Sequence, residues 1–226
     1  MAIILNIDTA TEIAIISLSE KDSIIDYVTN TNQKDHGSFL QPAIKILLQK
    51  TDLSMKNINA VAVTSGPGSY TGLRVGMASA KGLCYALNIP MITINTLEVM
   101  TVSSIKKIED RSALYCPMID ARRMEVFTAI YDYQLTEIIK PCSMILNEES
   151  FKDILQKSKI YFSGSGVVKL EDILENPNAI FNNQQTTPDA MARLSYSAYI
   201  KKHFADVAYS SPEYLKEFYI PSKPGV

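Results

Sequence analysis

The chain has no tryptophan, only three cysteines and two histidines among 226 residues, and no long apolar run. Cys84, Cys116 and Cys142 are odd in number and far apart, which excludes a full disulfide framework and any C-x-x-C zinc pair. All three are expected to behave as small buried hydrophobes. His36 and His203 stand far apart, and His36 reads as a polar residue near a helix start rather than a metal ligand. No stretch approaches the roughly 20 apolar residues that span a bilayer. The opening Met1-Ala2-Ile3-Ile4-Leu5-Asn6-Ile7-Asp8 has no basic region and reaches an acid too early for a signal peptide. The expected compartment is therefore the cytoplasm, with no membrane partner. Net charge is −2, so no global positive field draws the chain to nucleic acid. The pairs Lys106–Lys107, Arg122–Arg123 and Lys201–Lys202 read as solvated faces. Neither a G-x-S-x-G nucleophile elbow nor an H-E-x-x-H zinc site occurs.

What is present is an ordinary globular composition, long enough for one substantial domain or two small ones sharing a core. Ile3-Ile4-Leu5-Asn6-Ile7 and Ile13-Ala14-Ile15-Ile16-Ser17-Leu18 flank a short polar turn and read as a β-hairpin. The second half opens alike, with Leu114-Tyr115-Cys116-Pro117-Met118-Ile119, then Asp120-Ala121-Arg122-Arg123, then Met124-Glu125-Val126-Phe127-Thr128-Ala129-Ile130. The two turn aspartates, Asp8 and Asp120, lie 112 residues apart, and each follows Ile. This points to an internal duplication.

Between the hairpins the period changes. Apolar residues at 39, 40, 43, 44, 47 and 48 form a helical stripe, with Asp35 or Ser38 as cap and Pro42 in the first turn. A strand at 60–64, the loop Ser65-Gly66-Pro67-Gly68-Ser69, a helix over about 71–87 and a strand at 91–94 make a βαβ unit. Further on, a helix is expected near 148–156, a strand at 160–162 and the loop Ser163-Gly164-Ser165-Gly166. A last helix runs from Thr187-Pro188 to about 204, Thr187 capping it and Pro188 at its first position. The tail, 211–226, holds three of the ten prolines and is expected to lie extended over the surface.

Five of the nine glycines fall between Gly66 and Gly82. Gly66-Pro67-Gly68 ends at a helix N-terminus, which can attract anions, but its spacing matches neither common phosphate-loop pattern. A purely structural turn is the alternative. Gly72, Gly76 and Ala80 recur every four residues and form one narrow ridge. Each interior glycine costs about 0.5–1 kcal/mol relative to alanine, so a bare ridge must gain from close approach of another backbone. That backbone is either the chain's own or a partner's.

The segment Ser65-Gly66-Pro67-Gly68-Ser69-Tyr70-Thr71-Gly72-Leu73-Arg74-Val75-Gly76 resembles the G-P-G-S-[FY]-T-G-L-R-[IV]-G signature of the TsaB (YeaZ) family. Supporting matches are Ile7-Asp8-Thr9-Ala10-Thr11, His36-Gly37-Ser38-Phe39-Leu40-Gln41-Pro42, Asp120-Ala121-Arg122-Arg123-Met124-Glu125-Val126-Phe127 and Pro212-Glu213-Tyr214-Leu215. The resemblance implies an α/β, actin-like (ASKHA, ribonuclease H-like) fold of two related subdomains. They would cover residues 1–105 and 106–210, with the 188–205 helix packing back on the first.

The family's implied role is that of a non-catalytic scaffold, not an enzyme on its own. It pairs with a TsaD-like catalytic subunit and a TsaE-like P-loop ATPase to threonylcarbamoylate adenosine 37 of tRNA, and it touches tRNA only through the complex. Without its partner it forms a homodimer over the same surface. Carried onto this chain, that surface comprises Phe39, Leu40, Ala43, Ile44, Leu47, Tyr70, Gly72, Leu73, Gly76, Met77 and Ala80. Where catalytic relatives hold a metal with an H-x-x-x-H pair, this chain has Thr96 and Met100, poor ligands for such an ion. No metal or cofactor is expected. A vestigial nucleotide site is the one allowance, at Asp8, Thr9, Gly66, Gly68, Asp120, Gly164 and Gly166; alternatively the aspartates only satisfy turn N–H groups. The competing readings are a small ASKHA phosphotransferase and, against the missing histidines, a metallopeptidase.

Overall fold

In the computed structural model, residues 2–182 and 184–216 are described. The part of the expected tail beyond residue 216 lies outside them. The first half runs β1 (Ile3–Asp8), β2 (Ala14–Glu20), β3 (Ser23–Asn30), α1 (His36–Lys50), β4 (Ala60–Gly66), α2 (Tyr70–Leu87), β5 (Met91–Asn95) and α3 (Thr96–Ile108). The second repeats the order with β6 (Leu114–Asp120), β7 (Glu125–Tyr131), β8 (Glu137–Ile145), α4 (Lys152–Leu155), β9 (Ile160–Ser163), α5 (Val167–Glu171), β10 (Ala179–Asn182) and α6 (Pro188–Ile200). The sheets are ordered β3-β2-β1-β4-β5 and β8-β7-β6-β9-β10. In each, the first three strands in chain order pair antiparallel and the last two join in parallel. One unit has therefore been used twice, and Asp8 and Asp120 end equivalent strands.

Strand alternation assigns the helices to faces. Leu5, Ile7, Val61 and Val63 point to α1 and α2, where they cluster with Leu40, Leu47, Met77 and Ala80. Ile4, Ala60, Ala62, Ile92 and Ile94 point the other way, to Val99 and Val102 of α3 and Met191 of α6. Buried Asn6 fixes α6 to β1, its Oδ1 accepting from Ser195 Oγ at 2.7 Å. The opposite side of α3 places Leu97 and Met100 against Ile119, Ala129 and Tyr131 of the second sheet. Helix α3 is thus the shared wall of both halves.

Several boundaries differ from expectation. Helix α1 starts at His36, so Pro42 falls in its second turn rather than its first, and Asp35 makes no side-chain cap bond. Burial of Leu40, Ala43, Ile44 and Leu47 outweighs the proline's missing hydrogen bond. The helix expected over 148–156 shrinks to α4, because Phe151 takes a left-handed φ of 67°. Helix α6 stops at Ile200, with Lys202 left-handed just beyond. Thr187 precedes Pro188 without a cap bond, its N–H instead donating to Ser103 Oγ at 3.0 Å. Cys84 and Cys116 are buried as expected, but Cys142 is only half-buried on β8. Among the described residues no helix is long and apolar enough to cross a membrane. Pro42→Ala should raise stability by about 1–2 kcal/mol, since it restores a donor inside an exposed helix turn. Urea unfolding measures this, and an unchanged or lower midpoint contradicts it.

Candidate functional site

The turn after β1 drives into the glycine-rich segment. Thr9 Oγ1 donates to Gly72 O at 2.8 Å, and Ser69 N donates to Ala10 O at 2.7 Å. A Cβ on Gly68 would lie 2.2 Å from Ala10 O, one on Gly72 2.0 Å from Thr9 O, and one on Gly76 2.5 Å from Thr9 Oγ1. The ridge is bare because the chain's own turn occupies it. From the other side Glu213 N donates to Ser65 O at 2.7 Å, and Glu213 O sits 2.5 Å from where a Gly66 Cβ would be. Three backbone carbonyls therefore face the Gly66–Gly72 segment. Close packing against the chain's own backbone accounts for the need for glycine at 66 and 68.

Asp8 is buried beneath this turn. Its Oδ1 accepts from Ala10 N at 3.2 Å and Thr64 Oγ1 at 3.1 Å, whereas Oδ2 has no partner among the described residues. Burial pushes the carboxyl up to about 6, against the pull of those two hydrogen bonds. Asp120, its counterpart, is exposed. Its Oδ1 accepts from Arg122 N at 2.6 Å and Lys169 Nζ at 2.8 Å. Partial burial raises its carboxyl, but the Lys169 ammonium and the Arg122 N–H outweigh that and hold it below the usual range.

The duplication extends to the loops. Ser163-Gly164-Ser165-Gly166 begins at the last residue of β9 and Ser65-Gly66-Pro67-Gly68 in the last two residues of β4, an S-G-x-G repeat that aligning the halves by sequence alone would have exposed. Here too the glycines are crowded by the chain itself. A Gly164 Cβ would meet Met100 Cε at 2.3 Å and Met118 O at 2.4 Å, and a Gly166 Cβ would meet Val126 Cγ1 at 2.7 Å. A cleft of about 320 Å³ opens between the halves, lined by Glu12, Met100, Ile119, Ser165, Gln185 and Thr186 among others. Asp8, Thr9, Gly66, Gly68 and Asp120 do not line it; of the expected nucleotide-site residues only Gly164 does. Thr96 is fully buried at the start of α3, and Met100 lies in the apolar seam. Among the described residues no three of His, Cys, Asp or Glu converge on a metal position.

The residues expected at a partner interface divide by burial. Leu40, Ala43, Ile44, Leu47, Gly72, Leu73, Gly76, Met77 and Ala80 are all buried inside the monomer. Phe39 is half-buried. Tyr70 is 41% exposed and packs on Tyr214 and under the Arg74 guanidinium. Sequence periodicity found the small-residue ridge but not the direction it faces. The outward face of α2 carries Val75, Ala78, Ser79, Gly82, Tyr85 and Ala86, all exposed or half-buried. Among the described residues, a Cβ on Gly82 would meet nothing within 4 Å.

Two copies of one five-stranded α/β unit, sharing α3 across a cleft, define a duplicated actin-like (ASKHA, ribonuclease H-like) fold. A solved structure described as YeaZ from Pseudomonas aeruginosa superimposes with a TM-score of 0.83 at 20% identity, over 95% of this chain and 100% of that one. A family model described as TsaD, tRNA N6-adenosine threonylcarbamoyltransferase, matches residues 24–220. The tRNA threonylcarbamoyladenosine biosynthesis protein TsaB of Bacillus subtilis (strain 168) is 30% identical over 223 residues, covering 94% of this chain and 93% of that protein. Its namesake from Escherichia coli (strain K12) is 34% identical over 128 residues, 57% of this chain and 54% of that one. The chain belongs to the TsaB (YeaZ) family of tRNA threonylcarbamoyladenosine biosynthesis proteins, within the wider TsaD family.

Two outcomes follow from the packing. Gly76→Leu should destabilise the monomer by about 3 kcal/mol or more, because the new side chain must displace the Thr9 turn; a variant as stable as wild type in urea contradicts this. Asp8 binds its proton more tightly folded than unfolded, so between about pH 4 and pH 6 stability should fall as pH rises. Asp8→Asn should flatten that slope and stabilise the protein at pH 7 by about 1–3 kcal/mol. Thermal unfolding from pH 4 to 7 reads both, and a parallel pH profile in the variant refutes the assignment.

Proposed function

We propose that this chain is a non-catalytic scaffold that pairs with a TsaD-like catalytic subunit, joined by a TsaE-like P-loop ATPase, in threonylcarbamoylation of adenosine 37 of tRNA. In the absence of that partner it forms a homodimer through the same face, and it works without a cofactor or metal of its own. The observation that carries the reading is Gly82. Glycine within an exposed helix costs about 1 kcal/mol relative to alanine. Gly72 and Gly76 recover that cost against the Thr9 turn, but among the described residues nothing lies within 4 Å of where a Gly82 Cβ would be. With Ala78 and Ala86 one turn to either side, it forms a second small-residue ridge, open to solvent and suited to close approach by a partner helix. The crowding of Gly66, Gly68 and Gly164 by the chain's own atoms supports the non-catalytic part of the reading.

A phosphotransferase reading draws on one feature, the unpartnered Asp8 Oδ2. The burial of that carboxylate and the carbonyls around the glycine loop weigh against it, and Mg-ATP titration separates the two: micromolar binding favours the phosphotransferase. The scaffold reading is tested by Gly82→Leu. The free chain should be as stable as wild type or more so, by about 1 kcal/mol from helix propensity. Affinity for a TsaD-like subunit should drop at least about tenfold, the equivalent of roughly 1.4 kcal/mol. Unchanged affinity, measured by titration calorimetry, removes this face as the partner surface.

A further inference from the structure

We infer that the turn between β6 and β7 is a direct contact point for the phosphodiester backbone of tRNA, through Arg122 and Arg123. The inference deepens the tRNA-modification reading and rests on it. Both arginines line an open hollow of about 750 Å³ with Met124, Glu125, Ile145 and Lys216. The two carboxylates beside them are already occupied: Asp120 accepts from Lys169, and Glu125 accepts from Lys216. Neither arginine side chain makes an ion pair among the described residues, although the Arg122 charge does act on Asp120; with Lys169 and Lys216 already on the two carboxylates, the rim keeps an excess of positive charge.

Their backbone makes the choice of residue informative. Nine non-glycine residues take positive φ among those described, and Arg122 (69°) with Arg123 (49°) is the consecutive pair. Glycine and asparagine adopt positive φ at less cost than arginine does. Folding alone gives no reason for two arginines there, whereas a guanidinium fork matches phosphate oxygens. Among the described residues no aromatic side chain lines the hollow, so none of them offers bases a stacking surface. The expected contact is with backbone, indifferent to base sequence. The overall net charge of −2 leaves the main grip to a partner, and this turn fixes the RNA's position.

The test uses Arg122→Asn/Arg123→Asn in the full chain, because asparagine keeps the turn and removes both charges. Labelled, unmodified tRNA transcript is titrated with the chain alone and with a TsaD-like subunit added. The variant should melt at the wild-type temperature or higher. Its plot of log affinity against log salt should be shallower by about 2, making the loss between about 50 and 200 mM salt roughly tenfold smaller. An unchanged slope overturns the inference, as does absence of tRNA binding by both wild-type forms. A variant that loses the TsaD-like subunit while tRNA affinity holds marks the turn as a protein contact and also overturns it. The scaffold reading fails separately, if the wild-type chain does not pair, and the comparison on the chain alone still stands.

Discussion

One contact organises the molecule: the Thr9 carbonyl and hydroxyl pressed against the bare side of α2 at Gly72 and Gly76. It locks the end of β1 to the helix that follows β4, and with it the position of buried Asp8 and of the whole glycine loop. Any side chain at those two glycines would push the helix off the sheet, as interiors packed to crystal density cannot absorb a new Cβ. The glycine-rich segment is thereby tied into the packing of the first half.

The second consequence concerns asymmetry between the halves. The two sheets are equivalent strand for strand, but α1 and α2 run 15 and 18 residues while their counterparts α4 and α5 run 4 and 5. Only the first half therefore presents a broad helical surface, and its inward side is used up by the core. What remains outward, around Ala78, Gly82 and Ala86, is the surface available to a partner. In the second half the shortened α5 reaches the β6–β7 turn through Lys169, and the turn's arginines lie beside it and Lys216. The division of labour we propose, protein partner on one half and RNA backbone on the other, follows that difference in helix length.

The hairpins, the βαβ unit and the duplication were legible in the sequence because each rests on a local period or turn. The paired aspartates after equivalent strands were the strongest clue, and the structure aligns them. Helix α3 was invisible to periodicity because Leu97 and Val99 through Ile105 are all buried, polar Thr101 and Ser103 included, their hydroxyls satisfied by the carbonyls of Leu97 and Val99. Edge strand β3 does alternate, exposed and half-buried in turn, but around polar residues that read as loop. The direction of the Gly72–Gly76–Ala80 ridge was not readable at all. Spacing tells which residues share a face, and only the register of α2 on β1 and β4 decides whether that face looks in or out. Asp8's burial was hidden for the same reason, since it depends on α2 and Thr64 arriving from 56 residues or more away.

The Thr9–Gly76 contact can be measured by a double-mutant cycle of Thr9→Ala and Gly76→Ala, followed by urea unfolding. Removing Thr9 Oγ1 should make room for the alanine methyl, so the pair should cost less than the two single changes added together, by about 1 kcal/mol or more. Strictly additive costs would mean that the turn and the helix do not meet there, and the account of the ridge, the loop and the outward face would lose its foundation.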